Sequence, residues 1–281
     1  MAILTQLFIY PIKSCAGLSV PSATLLESGL QAQGVHDREW MLVSEQGQFL
    51  TQREHPCMAL IQPRPDGDLL RVSAPGMSDF CLPLAHDPHA SPRTVKIWDD
   101  LVDAADCGDS AANWFTQAVG SACRLVRFRR DVVRPTSVKW TEGVPSQTRF
   151  ADGYPLLLIG QSSLDDLNAR LAAAGRAALP MDRFRPNLVV GGLPAFEEDY
   201  LAELAFETAT VRPVKPCARC PIPSIDQQTG IAGPDPLDIL QTYRANPRME
   251  GAVCLGMNCI VAHGAGSELF AGQELEAELA F

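Results

Sequence analysis

The sequence predicts a mainly β protein, and three observations lead to that prediction. Its 21 glycines and 22 prolines are spread along all 281 residues, which is typical of many short strands and tight turns. Hydrophobic residues make up 46% of the chain, enough for one large or two ordinary cores. The apolar runs are short, and several alternate with polar residues. Disordered, collagen and coiled-coil proteins are excluded.

The segment from Ile3 to Phe128 is predicted to form short strands separated by Gly, Pro, Asp or Ser. One helix interrupts them, with Asp109 as its N-cap and Gly120 after its last turn. A barrel or a folded sheet is typical of this pattern. The predicted strands are LTQLFIYPIK, WMLVSE, QFLTQR, DLLRVSA, TVKIWDD and CRLVRF.

A long loop is predicted between the two halves, because the sequence from Arg129 to Gly153 has no periodicity and carries several charges. We therefore place an N-terminal domain at residues 1–128, a linker at residues 129–144 and a C-terminal domain at residues 145–281.

The C-terminal half begins with the apolar strand YPLLLIG and a helix with a capping box of Ser163 and Asp166. The strands RPNLVVGG and LAELAFETATVRPV follow. Another helix starts at Asp235 and Pro236, because Asp is a good N-cap and Pro fits the first turn. The chain then returns to strands, so this half is also predicted to be mainly β with a few short helices.

The charge of the chain argues against nucleic acid and membrane surfaces as partners. It has 23 Lys plus Arg against 33 Asp plus Glu, and a net charge of -10 repels phosphate backbones and anionic lipids. No apolar run approaches the roughly 20 residues of a transmembrane helix, and no basic leader precedes an apolar block. We expect a cytoplasmic protein without a nucleic-acid or membrane partner, and reduced thiols at its nine cysteines.

The most distinctive local motif is the C-x-x-C pair of Cys217 and Cys220. A thioredoxin-type dithiol is disfavoured, because the prolines that follow would prevent a helix from starting there. A zinc site would also need Cys254 and Cys259, whose odd separation in a predicted strand places them on opposite faces. Ordinary buried thiols are another possibility. In the fourth interpretation, one of the two thiolates binds a transition metal beside Arg219, whose positive charge favours the deprotonated sulfur.

Basic residues recur at predicted strand ends and turns beside Gly, Ser or Thr, at Lys13-Ser14, Arg38, Arg53 and Arg185. Together they offer the ammonium, guanidinium and hydroxyl donors that a phosphorylated anion needs. Each one alone is also compatible with a solvated or salt-bridged surface charge. The sequence pattern does not show that they converge.

Six segments, in this order and spacing, resemble MOSC proteins that have an N-terminal MOSC barrel. The similarity covers nearly the whole chain and points to the branch that contains the mitochondrial amidoxime reducing component and its bacterial relatives. It implies a barrel-like MOSC-N domain, a C-terminal MOSC β-barrel and a bound molybdenum cofactor, in which molybdopterin and a protein cysteine hold the metal. The segments are YPIKSCAG, VHDREWMLV, FLTQREHP, RFRPNLVV, PCARCPIPSIDQQTG and LGMNCIV.

The resemblance also implies which residues form the site. Cys220 matches the molybdenum ligand and would be the catalytic residue. Ala218 and Arg219 would present backbone and guanidinium donors to the pterin, and the site would lie between the domains. The full set of implied cofactor-binding residues is Lys13, Ser14, Arg38, Thr51, Arg53, Asp152, Gly153, Arg185, Asn187, Ala218, Arg219, Cys220 and Asn258.

The function implied by the resemblance is the two-electron reduction of small N-hydroxylated compounds, such as hydroxylamines and amidoximes, by a molybdenum-dependent oxidoreductase. The sequence shows no iron–sulfur, flavin or haem motif, so we expect a separate electron-donor protein. A candidate docking patch for this donor, or else a solvated strand end, is Arg127, Arg129, Arg130 and Arg134.

Two functions of other classes stay open. The protein could carry molybdenum cofactor, or its sulfurated form, to another enzyme without turnover of its own. It could also carry sulfur or a metal on the C-x-x-C motif without a pterin.

Overall fold

The computed structural model describes residues 1–280 of the chain. In this part there are four α-helices, namely α1 (Gly108–Val119), α2 (Val138–Thr141), α3 (Gln161–Ala173) and α4 (Leu237–Gln241). The same residues form twenty strands, namely β1 (Ala2–Ile9), β2 (Leu18–Val20), β3 (Ser22–Leu26), β4 (Gly29–Ala32), β5 (Val35–His36), β6 (Trp40–Val43), β7 (Gln62–Asp66), β8 (Leu69–Ser73), β9 (Phe80–Pro83), β10 (Pro92–Ile97), β11 (Asp100–Asp106), β12 (Arg124–Phe128), β13 (Leu156–Gly160), β14 (Leu188–Gly191), β15 (Leu201–Ala205), β16 (Thr210–Ala218), β17 (Ala245–Asn246), β18 (Ala252–His263), β19 (Glu268–Phe270) and β20 (Gln273–Leu279). The predicted mainly β class is confirmed.

Seven of these strands close into a barrel. Their hydrogen-bonded order is β13, β14, β1, β20, β15, β16 and β18, and β18 pairs again with β13. Only the β13–β14 pair of this ring is parallel among the described strands. A register shift between Leu4 and Gln6 lets Leu4 and Leu7 both lie buried, although strict alternation would put them on opposite faces. The barrel confirms the C-terminal β-barrel that the resemblance implied.

The N-terminal half contains three smaller sheets. Their strand orders are β10-β11-β12-β6, β19-β3-β4-β5 and β7-β8-β9. Strand β1 from this half lies in the C-terminal barrel, whereas β19 from the C-terminal half pairs with β3. Strand pairing therefore crosses the predicted linker in both directions, and the domain limits themselves stay a prediction.

The helices are present where the sequence predicted them, but two of the predicted N-caps are wrong. Asp109 lies in the first turn of α1 and pairs with Arg124 at 3.0 Å. The Ser163 hydroxyl points inward and donates to the buried Glu198 carboxylate at 2.6 Å, so it forms no capping box. In both cases a partner distant in sequence is preferred over the local cap. Asp235 does accept the amide of Leu237 at the start of α4, as predicted.

Two further segments differ from the prediction. The predicted strand QFLTQR turns instead, because the amides of Glu54 and His55 both donate to the Thr51 carbonyl. The predicted linker contains the short helix α2. Among residues 1–280, no helix has the length and apolar character to span a membrane.

Candidate functional site

A cavity of about 520 Å³ brings together every residue that the sequence analysis placed in the site. They come from the ends and connections of strands in both halves of the chain, as the resemblance implied. The predicted residues that line the cavity are Lys13, Ser14, Arg38, Thr51, Arg53, Asp152, Gly153, Arg185, Asn187, Ala218, Arg219, Cys220 and Asn258. Their role as ligand-binding residues stays a prediction.

The cavity is strongly cationic, although the whole chain has a net charge of -10. Among the lining residues within the described part of the chain, Asp152 is the single carboxylate. Low-dielectric walls focus such a field and concentrate anions. The cationic lining residues are Lys13, Arg38, Arg53, Arg183, Arg185, Lys215 and Arg219.

Lys13 is fixed at the point where the two halves meet. Its amide donates to the Trp40 carbonyl at 2.7 Å, and its Nζ lies 2.6 Å from Oδ1 of Asp152. The same carboxylate oxygen accepts a hydrogen bond from Nε1 of Trp98 at 3.1 Å. Burial lowers the pKa of Lys13, and the Asp152 charge partly offsets this effect.

Two arginines enclose the buried ring of Tyr10. The Cζ atoms of Arg38 and Arg185 lie 4.2 and 4.3 Å from the ring centroid. Arg38 is satisfied by Asp37 at 2.5 Å and by Oδ1 of Asn187 at 3.1 Å. The Nη1 and Nη2 atoms of Arg185, in contrast, are buried without a hydrogen-bond partner in the protein. Because an unsatisfied buried donor is costly, this guanidinium is a candidate donor to a bound ligand.

The backbone at the cavity is strained at four lining residues. Ser14, Arg38 and Arg185 have φ values of 64°, 46° and 55°, and Trp98 has 55°, all in the left-handed region that favours glycine. Such conformations cost on the order of 1–3 kcal/mol each and cluster at functional sites. The amide of Arg38 donates to the Tyr10 carbonyl at 2.8 Å, which holds this backbone conformation in place.

The C-x-x-C motif lies at the end of β16, where both thiols are free and line the cavity. Burial raises the pKa of the Cys217 thiol. After Cys220 the chain forms a short 3-10 turn over Ile222–Ser224, so no α-helix begins there to stabilise a thiolate. This geometry argues against the thioredoxin-type dithiol.

The zinc interpretation also lacks support. Cys254 and Cys259 are buried in β18, and nowhere in residues 1–280 do three His, Cys, Asp or Glu side chains group as a metal site. A site that recruits a single cysteine is compatible with the geometry, because its other ligands would come from a cofactor.

Arg219 has a structural role in addition to the one predicted for it. Its Nε and Nη2 donate to the Leu255 carbonyl at 2.8 and 2.5 Å, and its Nη1 donates to the Phe184 carbonyl at 2.8 Å. These bonds tie the C-x-x-C turn to β18 and to the segment before Arg185. Arg219 also lines the cavity, and its predicted contact with a pterin stays a prediction.

Several lining residues were not predicted from the sequence. Some of them are charged and lie close to a predicted motif, and this proximity could have identified them. Arg183 lies two residues before Arg185, and its guanidinium donates to the Ser224 carbonyl and pairs with Asp226 at 2.6 Å. It thereby holds the turn that follows Cys220. The main unpredicted lining residues are Phe49, Trp98, Tyr154, Arg183, Phe184, Lys215, Cys217 and Met249.

The predicted docking patch of four arginines is not formed. Arg127 is buried and pairs with Glu39 at 2.7 Å, because β12 points its side chain onto the Trp40 ring. Arg134 is also buried and pairs with Asp100 at 2.8 Å. These two residues belong to the interior and cannot meet a partner protein.

Comparison with known proteins gives two family matches. A model described as "MOSC N-terminal beta barrel domain" matches residues 1–122, and one described as "MOSC domain" matches residues 145–276. The human mitochondrial amidoxime reducing component 2 is 35% identical over 243 residues, which cover 85% of this chain and 71% of that protein. Its Bos taurus counterpart is 34% identical over 247 residues, with the same shares. The YUAD protein from Bacillus subtilis is 13% identical, with a TM-score of 0.33 over 55% of this chain and 80% of that one.

Proposed function

Because this chain belongs to the MOSC proteins with an N-terminal MOSC barrel domain, in the family of the amidoxime reducing components, we propose that it is a molybdenum-dependent reductase of N-hydroxylated compounds. The observation that carries the proposal is one cationic cavity lined by a free cysteine and by Arg185, whose guanidinium is buried without a protein partner. An anionic cofactor that needs a thiolate ligand would satisfy both groups.

The donor set fits the molybdenum cofactor, which has a terminal phosphate and a pterin with hydrogen-bond acceptors. Lys13, Ser14 and Arg38 would hold the phosphate, because ammonium, hydroxyl and guanidinium groups are its usual partners. The unpartnered Nη1 and Nη2 of Arg185 would donate to the pterin.

Asn187 would act through Arg38. Its Oδ1 accepts from Arg38 and from the amide of Leu157, and its Nδ2 donates to the Phe8 carbonyl. The side chain is thus held on three sides and orients the guanidinium. We assign Asn187 as a positioning residue for Arg38.

Cys220 would be the protein ligand of the metal, because a thiolate is a soft donor suited to a transition metal. The bound cofactor supplies the two-electron redox chemistry, and the chain supplies the thiolate, the anion-binding walls and the access to substrate. The reduction consumes two electrons and two protons, breaks the N–O bond, forms an N–H bond and releases water. The electrons would come from a separate redox protein.

Metal analysis, pterin fluorescence and an activity assay on the purified protein test this proposal. We expect molybdenum together with pterin, and reduction of an amidoxime when a small chemical reductant replaces the protein donor. Molybdenum and pterin without turnover of any N-hydroxylated compound would favour a cofactor carrier. The absence of both would overturn the proposal and favour a sulfur or metal carrier.

A further inference from the structure

Trp98 is an exposed aromatic residue of the cavity that the proposed cofactor contacts do not include. It lies in the turn between β10 and β11, where Ile97 pairs with Asp100 across the hairpin. Its residue surface is 44% exposed, although its ring lines the cavity. An indole of this size is normally more deeply buried in a soluble protein.

The backbone conformation of Trp98 is unfavourable for a bulky residue, so the turn itself does not explain why a tryptophan is present at this position. Its φ is 55°, at the first position of a two-residue hairpin turn. Glycine is preferred where φ is positive at this position, and a bulky residue there is an outlier. The hairpin does not depend on the indole, because Lys96 and Leu101 continue the pairing of the two strands.

Three contacts fix the indole at the cavity. Its Nε1 donates to Asp152 at 3.1 Å, and its ring meets the Phe49 ring edge-on with centroids 5.2 Å apart. The Arg53 guanidinium lies over the ring, with Cζ 4.8 Å from the centroid, and its Nε donates to the Thr51 hydroxyl. The exposed part of the ring is therefore a rigid apolar surface, which binds a planar group with little loss of conformational freedom.

We propose that Trp98 determines substrate specificity by holding the aryl group of an aromatic N-hydroxylated compound. This inference rests on the proposed function. Stacking of two aromatic rings contributes binding free energy beyond that from the buried area, whereas a short alkyl chain contributes only through burial. Arg53 over the indole and the other cations that line the cavity disfavour a positively charged tail, so the preferred class is neutral or anionic aryl compounds.

Kinetics of Trp98→Gly and Trp98→Phe test the inference. Glycine removes the ring and suits the positive φ, so the hairpin should persist. We expect the ratio of kcat/KM for an aryl amidoxime to that for a small alkyl hydroxylamine to fall about fivefold in Trp98→Gly. Trp98→Phe should restore most of the ratio. The control Leu101→Ala, at a residue 73% exposed in the same hairpin, should keep the parent ratio.

Binding without turnover provides a second readout. In the absence of an electron donor the aryl amidoxime is not consumed, so calorimetry gives its Kd for the cofactor-loaded protein. We expect Trp98→Gly to bind about fivefold more weakly, with the molybdenum and pterin content of the parent. Equal Kd values and equal aryl-to-alkyl ratios would overturn the inference. So would loss of cofactor in Trp98→Gly, since the ring would then serve the cofactor and not the substrate.

Failure of the proposed function would look different from failure of this inference. It would appear in the parent protein, as a lack of molybdenum, pterin and turnover. Failure of the inference alone leaves the parent active, and the Trp98 variants then either keep the parent preference for aryl compounds or lose the cofactor.

Discussion

Two groups of cations lie close to Trp40, and they differ in whether the protein itself neutralises them. Arg127 stacks on the Trp40 ring and belongs to the Glu39 cluster, in which Glu39 also faces His86 at 3.4 Å and Arg149 at 4.0 Å. Lys13, whose amide donates to the Trp40 carbonyl, belongs to the cationic cavity. Among the described residues, that cavity is lined by a single carboxylate. The first group is a closed network that stabilises the fold. The second has more positive charges than the lining carboxylate can neutralise, as a site for an anionic ligand requires.

The largest expected effect tests the cavity. Cys220→Ser should lower N-hydroxy reduction by at least about 100-fold, because a hydroxyl is a poor replacement for a soft thiolate ligand. The unfolding midpoint in urea should stay at the parent value. The matched control is Cys217→Ser, whose activity loss should be much smaller. Equal losses in both variants, with zinc in the preparation, would contradict the assignment.

The next effect tests the closed network. Glu39→Ala should lower the free energy of unfolding by about 3–5 kcal/mol, because it leaves the buried Arg127 without its counter-charge. Urea denaturation measures this change. The control Asp131→Ala removes an exposed partner of Arg129 and should leave stability unchanged. A loss in Glu39→Ala as small as that in the control would show that the network does not stabilise the fold.

Acid should weaken the same network. Burial alone would raise the pKa of Glu39, but the His86 hydrogen bond and the Arg127 charge lower it from 4.5 to about 2. The folded protein therefore binds this proton less readily than the unfolded chain. The lowered pKa therefore contributes up to about 3 kcal/mol to the free energy of unfolding. This contribution is complete above pH 4.5 and is lost as the pH falls toward 2.

Urea titrations in this pH range, on the parent and on Glu39→Gln, measure the Glu39 contribution. The variant should lose the pH dependence, whereas Glu54→Gln at an exposed position should keep it. Burial lowers the pKa of His36 from 6.5 to about 4, so this residue costs stability as the pH falls from 6.5 toward 4, and the Glu39 charge opposes the shift. The Glu39 contribution is therefore compared below pH 4. A Glu39→Gln curve parallel to that of the parent below pH 4 would refute this prediction.

The smallest effect compares two arginines within the cavity. Arg38→Ala and Arg185→Ala should each weaken cofactor binding roughly tenfold to a hundredfold, because a charged hydrogen bond contributes about 1.5–3 kcal/mol. Only Arg38→Ala should also destabilise the protein, since it leaves the buried Asp37 unpaired, whereas Arg185 has no protein partner to lose at Nη1 and Nη2. Molybdenum and pterin content, with urea denaturation, measure both effects. Parent-like cofactor content in both variants would contradict the prediction.

The site was more predictable from the sequence than the network was. Lys13, Arg185 and Cys220 lie in motifs whose residues are close in sequence, so the resemblance identified them and the fold brings them to one cavity. Arg127 was misplaced because its partner Glu39 lies 88 residues away, and no local pattern shows that pairing. The inward position of Ser163 has the same cause, since Glu198 is 35 residues distant.

The strands that cross between the halves have a consequence for how the chain folds during synthesis. β1 leaves the ribosome well before its barrel partners β14 and β20, which begin at Leu188 and Gln273, and only its last residues can pair early, with β2. At a synthesis rate of about 5–20 residues per second, the rest of β1 waits on the order of ten seconds or longer for these barrel partners. An apolar strand with unpaired edges is prone to aggregate in that interval, so the newborn chain should depend on chaperones until β20 emerges.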